Sequence, residues 1–161
     1  RARSFAVFSF GKVYHNTGWK VGYCIAPPAY TAAFRRVHQF LSFSVNTPAQ
    51  YALAQYLSST PPGITDLMQA KRDLFLELTR TLPFTLFRPA GGSYFQILGY
   101  ERISDLPDME FARWLTREYG VATIPVSAFY RDGRDNKLIR FCFAKKEDTL
   151  REAVNRMMRM H

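Results

Sequence analysis

The chain has 161 residues, 47% of them apolar and 16% aromatic, enough to bury a core in one domain or two small ones and too much for a disordered segment. Its formal charge of +9 raises nucleic acid or an anionic membrane as partners. However, Arg72, Arg80, Arg113, Arg117, Arg151 and Arg156 are scattered along predicted helices with no run of five, which is the pattern of a solvated basic surface, and no apolar stretch approaches the ~20 residues of a membrane helix.

The chain starts at Arg1 rather than methionine and enters a strand almost at once, so a fragment of a longer protein is expected. Phe5-Ala6-Val7-Phe8 leads into residues 9–23, and Val21-Gly22-Tyr23-Cys24-Ile25-Ala26 leads out. Both runs have the β-branched and aromatic enrichment of strands buried on both faces, which places Lys12 in a tight loop beside a sheet. With little water around it, its ammonium is disfavoured and the nucleophilic amine favoured, as forming an imine requires. Ser9 offers a hydroxyl, and Lys20, just past the Thr17-Gly18 turn, offers a second cation; together they suit a phosphate. One lysine for a carbonyl, with a hydroxyl and a lysine for a dianion, is the chemistry of pyridoxal phosphate.

Ser9-Phe10-Gly11-Lys12 followed by Thr17-Gly18-Trp19-Lys20-Val21-Gly22-Tyr23 resembles the cofactor-lysine region of the class I/II aminotransferases, fold type I pyridoxal-phosphate enzymes, in the branch of kynurenine, glutamine and methionine aminotransferases. The resemblance implies that Lys12 is the Schiff-base lysine and that Ser9 and Lys20 bind the phosphate. The bare Ser-x-x-Lys spacing also serves serine β-lactamases, but the Lys-Thr-Gly and Ser-Asp-Asn those enzymes need do not occur here. Gly11-Lys12 is followed by valine and lacks the upstream glycine of a P-loop.

Ala26-Pro27-Pro28 opens a helix with Tyr30, Phe34, Val37 and Leu41 on one face. Thr47-Pro48 supplies an N-cap hydroxyl and a proline at the first helical position for the next, whose predicted stripe is Ala49, Ala52, Leu53, Tyr56 and Leu57. Between them, Phe43 has two readings: ordinary packing, or, as the resemblance implies, a wall of the substrate pocket across a dimer interface. Pro61-Pro62-Gly63 is the clearest break, and Leu67, Ala70, Leu74, Phe75, Leu78 and Leu82 mark a long amphipathic helix beyond it.

Residues 84–87 and 93–98 are predicted to form a hairpin-like pair about Arg88-Pro89-Ala90-Gly91-Gly92. Pro107-Asp108 caps a helix with Phe111, Trp114, Leu115 and Tyr119 on its apolar face and Gly120 as its C-terminal cap, and 121–124 returns as a strand. Gly92-Ser93-Tyr94-Phe95 resembles the family's glycine-aromatic element beside the substrate cavity, and Pro125-Val126-Ser127-Ala128-Phe129-Tyr130 resembles its proline-serine-phenylalanine turn.

In the strand predicted over 138–144, the period of two puts Arg140 with Leu138, Cys142 and Ala144, opposite Ile139, Phe141 and Phe143. A charge among apolar neighbours needs a partner. One reading is a structural salt bridge; the other is a planar fork for a substrate carboxylate, and the resemblance to the family's carboxylate-arginine strand favours the second. Glu147-Asp148 then open an amphipathic helix with Leu150, Ala153, Val154 and Met157.

The fold expected is α/β, the C-terminal part of a fold type I transferase: residues 1–62 the end of the large cofactor-binding domain, 63–83 a connector helix, and 84–161 a small α+β domain. The implied function is amino transfer between an L-amino acid of methionine, aromatic or glutamine type and a 2-oxo acid, by a homodimer with its site at the subunit interface. A cysteine-conjugate β-lyase and a truncated, non-catalytic remnant are the alternatives. No metal site, nucleic-acid partner or membrane is expected, and Cys24 and Cys142 in apolar runs suit a reducing, cytoplasmic setting.

Overall fold

In the computed structural model, which describes residues 3–59 and 63–160, the chain divides into two units, Arg1–Pro62 and Gly63–His161. Pro61 and Pro62 of the expected break lie outside the described residues.

In the first unit, β1 (Ala6–Ser9) pairs antiparallel with β2 (Gly22–Ile25), with Ser9 opposite Gly22 and Phe8 opposite Tyr23. The pair closes because position 22 has no side chain: a Cβ there would stand 2.3 Å from the Phe8 carbonyl oxygen. Phe8 and Tyr23 stack across the ribbon at 4.9 Å. The expectation of strands buried on both faces is corrected, since every residue of β1 is exposed, Val7 to 77%. Their apolar character is that of a sheet interior, but among the described residues β1 and β2 pair only with each other.

Between the strands lie α1 (Phe10–Val13) and a 3-10 turn at Thr17–Trp19. Helix α2 (Pro28–Leu41) follows, then α3 (Thr47–Ser59). Asn46 Oδ1 accepts from Ala49 N–H at 2.9 Å, so Asn46, not Thr47, caps α3. The predicted stripe of α2 is exposed along its length, and of the α3 stripe only Ala49 and Leu53 are buried, packing with Val21 against Phe10, Tyr14 and Val45.

The second unit opens with α4 (Ile64–Thr79). Its sheet has the order β3 (Phe95–Gly99), β5 (Leu138–Cys142), β4 (Ile124–Pro125), all neighbours antiparallel. The predicted 84–87 strand is reduced to a single bridge, Thr85 with Gly99. Beyond it the buried Gln96 side chain replaces a ladder, accepting from Ala90 N–H at 2.9 Å and donating to Arg88 O at 3.0 Å. The 121–124 strand likewise shrinks to Ile124–Pro125.

Helices α5 (Asp108–Tyr119) and α6 (Glu147–Met157) join α4 on one face of the sheet. Phe75 of α4, Phe111 and Leu115 of α5, Leu150, Val154 and Met157 of α6, and Ile139 and Phe141 of β5 form the core with Phe143, each such side chain contributing about 1.5–3 kcal/mol. Because Phe75 belongs to this core, α4 folds as part of the second unit. Gly120 ends α5 at φ +65°, donating its N–H to Thr116 O, as a left-handed cap does. Among the described residues no helix is long and apolar enough to cross a membrane.

Candidate functional site

Ser9, Lys12 and Lys20 share the connection between β1 and β2. Ser9 leaves the strand with φ −126° and ψ 135°, and its Oγ accepts from Gly11 N–H at 3.1 Å, capping α1. Gly11 is buried under the returning chain: Thr17 Oγ1 donates to Gly11 O at 3.0 Å, and a Cβ at Gly11 would meet Thr17 Cα at 3.0 Å. Phe10 N–H donates to Val21 O at 3.2 Å and closes the loop.

Lys12 lies in α1 and Lys20 follows the 3-10 turn in the left-handed region at φ +55°. Both are solvent-exposed, and among the described residues neither has a carboxylate within 4.0 Å. The sequence reading of Lys12 as desolvated is thereby corrected: the burial on which it rested belongs to strands that this chain leaves bare.

Phe43 follows α2 at φ +59° and is 82% exposed. A bulky side chain in the left-handed region is a backbone outlier, which ordinary core packing does not account for here. Val37, Phe40 and Leu41 at the same helix end are also exposed, Phe40 to 86%.

Arg140 sits on the central strand of the second unit's sheet, opposite Ile97 on one side and Ile124 on the other. The alternation is as predicted: Ile139, Phe141 and Phe143 enter the core while Arg140 and Cys142 take the other face. The guanidinium carbon stands 3.9 Å from the Phe95 ring centroid and 4.9 Å from that of Phe129. Its Nε is buried without an acceptor, and among the described residues no carboxylate lies within 4.0 Å. The salt bridge offered as one reading is absent there.

Two aromatic partners and a buried acid lay outside the sequence-based site. Phe95 reads in sequence as part of the predicted 93–98 strand and of the glycine-aromatic element that the resemblance sets beside the substrate cavity, and Phe129 as part of the proline-serine-phenylalanine turn, neither as a partner of Arg140. Asp108 reads in sequence as part of a helix cap, but it makes no side-chain capping bond: its carboxylate accepts from Ser127 N–H at 2.8 Å and Ser127 Oγ at 2.7 Å. No local pattern signals such a bond, because its partners are joined only by the fold.

The family model for aminotransferase class I and II matches residues 3–157. Methionine aminotransferase of Escherichia coli K12 is 48% identical over 163 residues, covering 99% of this chain and 42% of the relative. The kynurenine–oxoglutarate transaminase of Dictyostelium discoideum is 34% identical over 98% of this chain and 42% of its own length. Among solved structures, a methionine aminotransferase from E. coli superimposes with a TM-score of 0.90 at 49% identity, over 98% of this chain and 42% of that one. N-succinyldiaminopimelate aminotransferase from Mycobacterium tuberculosis does so at 0.86 and 32%, over 99% and 42%. The chain thus spans less than half the length of these relatives, and throughout that span it belongs to the class I and II aminotransferase family.

Proposed function

We propose that the protein carrying this chain is a pyridoxal-phosphate-dependent aminotransferase, acting between an L-amino acid of methionine, aromatic or glutamine type and a 2-oxo acid. Arg140 carries the reading: a guanidinium in mid-sheet, with its Nε buried and without an acceptor and with no acid beside it among the described residues. A charge so placed is costly until paired, and a carboxylate accepts two parallel N–H bonds from the guanidinium fork. The family match supports the same reaction class.

The residues of the first unit fit the two ends of the cofactor. Ser9 Oγ already accepts a backbone N–H and keeps its own proton to donate to a phosphate oxygen. Lys20 brings an exposed positive charge, and Lys12 an exposed primary amine. When bound, pyridoxal phosphate supplies a sink for the electron pair left at the substrate α-carbon. In this reading Lys12 Nζ anchors the cofactor and, when free, moves the proton at the α-carbon as general base. Arg140 holds the α-carboxylate and thereby orients the α-carbon.

A homodimer fits the exposed aromatic and aliphatic side chains around Phe43, with Phe43 lining the substrate pocket across the interface. A cytoplasmic setting suits the unpaired Cys24 and Cys142. Borohydride reduction of the cofactor-loaded protein followed by peptide mapping tests the assignment. A pyridoxyl group on Lys12 is expected; its appearance on Lys20, or on no lysine of 9–23, overturns the role of Lys12.

A further inference from the structure

We infer that Phe95 and Phe129 are positioning residues for Arg140, two rings that hold the guanidinium in place for a substrate carboxylate, and that Asp108 fixes the turn carrying Phe129. The inference rests on the carboxylate reading of Arg140.

Phe95 lies opposite Cys142, two residues along the ladder from the Ile97–Arg140 pair, so its ring reaches the guanidinium diagonally on the same face. Phe129 ends the 3-10 turn Val126–Phe129 and is 60% exposed. An aromatic ring so open to water keeps one position only if its backbone is held. Asp108 does this: it is 2% exposed, and its two carboxylate oxygens grip the Ser127 hydroxyl and N–H inside that turn. Tyr130 N–H donates to Ser127 O at 3.0 Å and closes the turn on the other side.

The use of rings rather than an acid has a chemical consequence. A carboxylate beside Arg140 would fix the guanidinium but occupy the donors that a substrate needs. An aromatic face attracts the cation through its quadrupole and accepts none of the in-plane N–H groups, so position is gained while the fork stays free. Among the described residues the stack is what Arg140 has in place of an ion pair.

The test is steady-state kinetics of the full protein with Phe129→Leu, Phe129→Tyr, Phe95→Leu and Arg140→Ala, using amino acids and the corresponding amines without a carboxylate. Phe129 is exposed, so leucine there leaves no cavity in the core. Phe129→Leu is expected to raise KM for amino acids by about 3- to 30-fold, the range a partly to well desolvated cation–π contact spans, with kcat within about twofold and amines unaffected. Phe129→Tyr, which keeps the ring, should restore a KM near the parent value, and Phe95→Leu should act in the same direction.

If Arg140→Ala affects amines as much as amino acids, the carboxylate reading fails and the inference falls with it. If Arg140→Ala selectively loses amino acids while both leucine variants keep KM within about twofold, the positioning role alone is overturned. A KM rise shared equally by amines, or one that Phe129→Tyr reproduces, overturns it as well.

Discussion

Asp108 and Ser127 are joined twice across the second unit, the hydroxyl donating to Oδ1 at 2.7 Å and the backbone N–H to Oδ2 at 2.8 Å. Asp108 heads α5, where a carboxylate ordinarily serves the helix's own free N–H groups. Here it has turned to a partner nineteen residues away, and its own N–H donates to Asp135 Oδ2 at 3.0 Å. Bonds to an ionised acceptor are shorter and stronger than neutral ones, so this pair ties the start of α5 to the turn below β4.

Asp108→Ala strands the Ser127 N–H and should destabilise the fold by about 2–4 kcal/mol, whereas Ser127→Ala removes only the hydroxyl bond and should cost about 1 kcal/mol. Urea denaturation of the two variants measures the difference. Equal costs would mean that the backbone bond contributes nothing.

Tyr100 gives the fold an alkaline limit. Its ring is buried and stacked on Phe111 at 3.9 Å, and its hydroxyl donates to Leu106 O at 2.9 Å. Burial pushes the hydroxyl well above the usual tyrosine range, and the negative charges of Asp135 and Asp108 add to this. A group raised in the folded state contributes stability that is complete below its unfolded pKa, about 10 for tyrosine, and that is lost as pH climbs toward the folded value. The urea midpoint should therefore fall above about pH 10, and Tyr100→Phe should flatten that fall while costing about 1 kcal/mol at neutral pH. An unchanged alkaline slope in Tyr100→Phe would place the loss on another group.

Gly22→Ala puts a methyl group 2.3 Å from the Phe8 carbonyl oxygen. Backbone must move to admit it, at a cost of about 1–3 kcal/mol. Hydrogen exchange should accelerate over residues 6–9 and 22–25 and stay at parent rates over 95–99 and 138–142. Unchanged protection of the ribbon would show that the strands can separate slightly without loss.

On the proposed carboxylate role, Arg140→Ala in the full protein removes one partner of a desolvated charge pair. With a loss on the order of 2–5 kcal/mol, kcat/KM for amino acids should fall by about one and a half to three and a half orders of magnitude, with cofactor binding near the parent level. Arg140→Lys should recover little, because it keeps the charge and loses the fork. A cofactor titration beside the kinetics separates a lost carboxylate contact from a collapsed site.

Lys12 and Lys20 should separate in the same assay. Lys12→Ala should abolish the borohydride-trapped adduct, whereas Lys20→Ala should weaken cofactor retention and leave the adduct at Lys12. Retention unchanged in Lys20→Ala would remove Lys20 from the phosphate.

The helices were legible in the sequence because their apolar spacing and caps are local signals: α2, α5 and α6 stand where the pattern places them, α4 begins there but ends at Thr79, short of the Leu82 that the pattern included, and Gly120 ends α5 as expected. The two faces of β5 were legible for the same reason, alternation being a property of neighbouring residues. Burial was not. Val7, Phe8, Tyr23 and Ile25 have the composition of a sheet interior and are exposed, since a run of residues carries no record of whether the covering layer lies in the same chain. The 84–87 strand failed because the Gln96 side chain satisfies the backbone that a ladder would have used. In the candidate site, the spacing of Ser9, Lys12 and Lys20 placed all three in the connection between β1 and β2, but the rings over Arg140 come from β3 and from a distant turn, and only the fold assembles them.

The β1–β2 ribbon carries one further consequence. Among the described residues each of its strands has a single neighbour, so the outer rim of each presents unpaired N–H and C=O groups beside exposed Val7, Phe8, Tyr23 and Ile25. Two strands alone are marginal in water, and an open rim of low charge is a template on which another chain can add a strand. Expressed by itself, residues 1–161 would carry this sticky border into the cell, and insolubility would begin at 6–9 and 22–25 rather than at the well-packed Phe111–Ile139 interior.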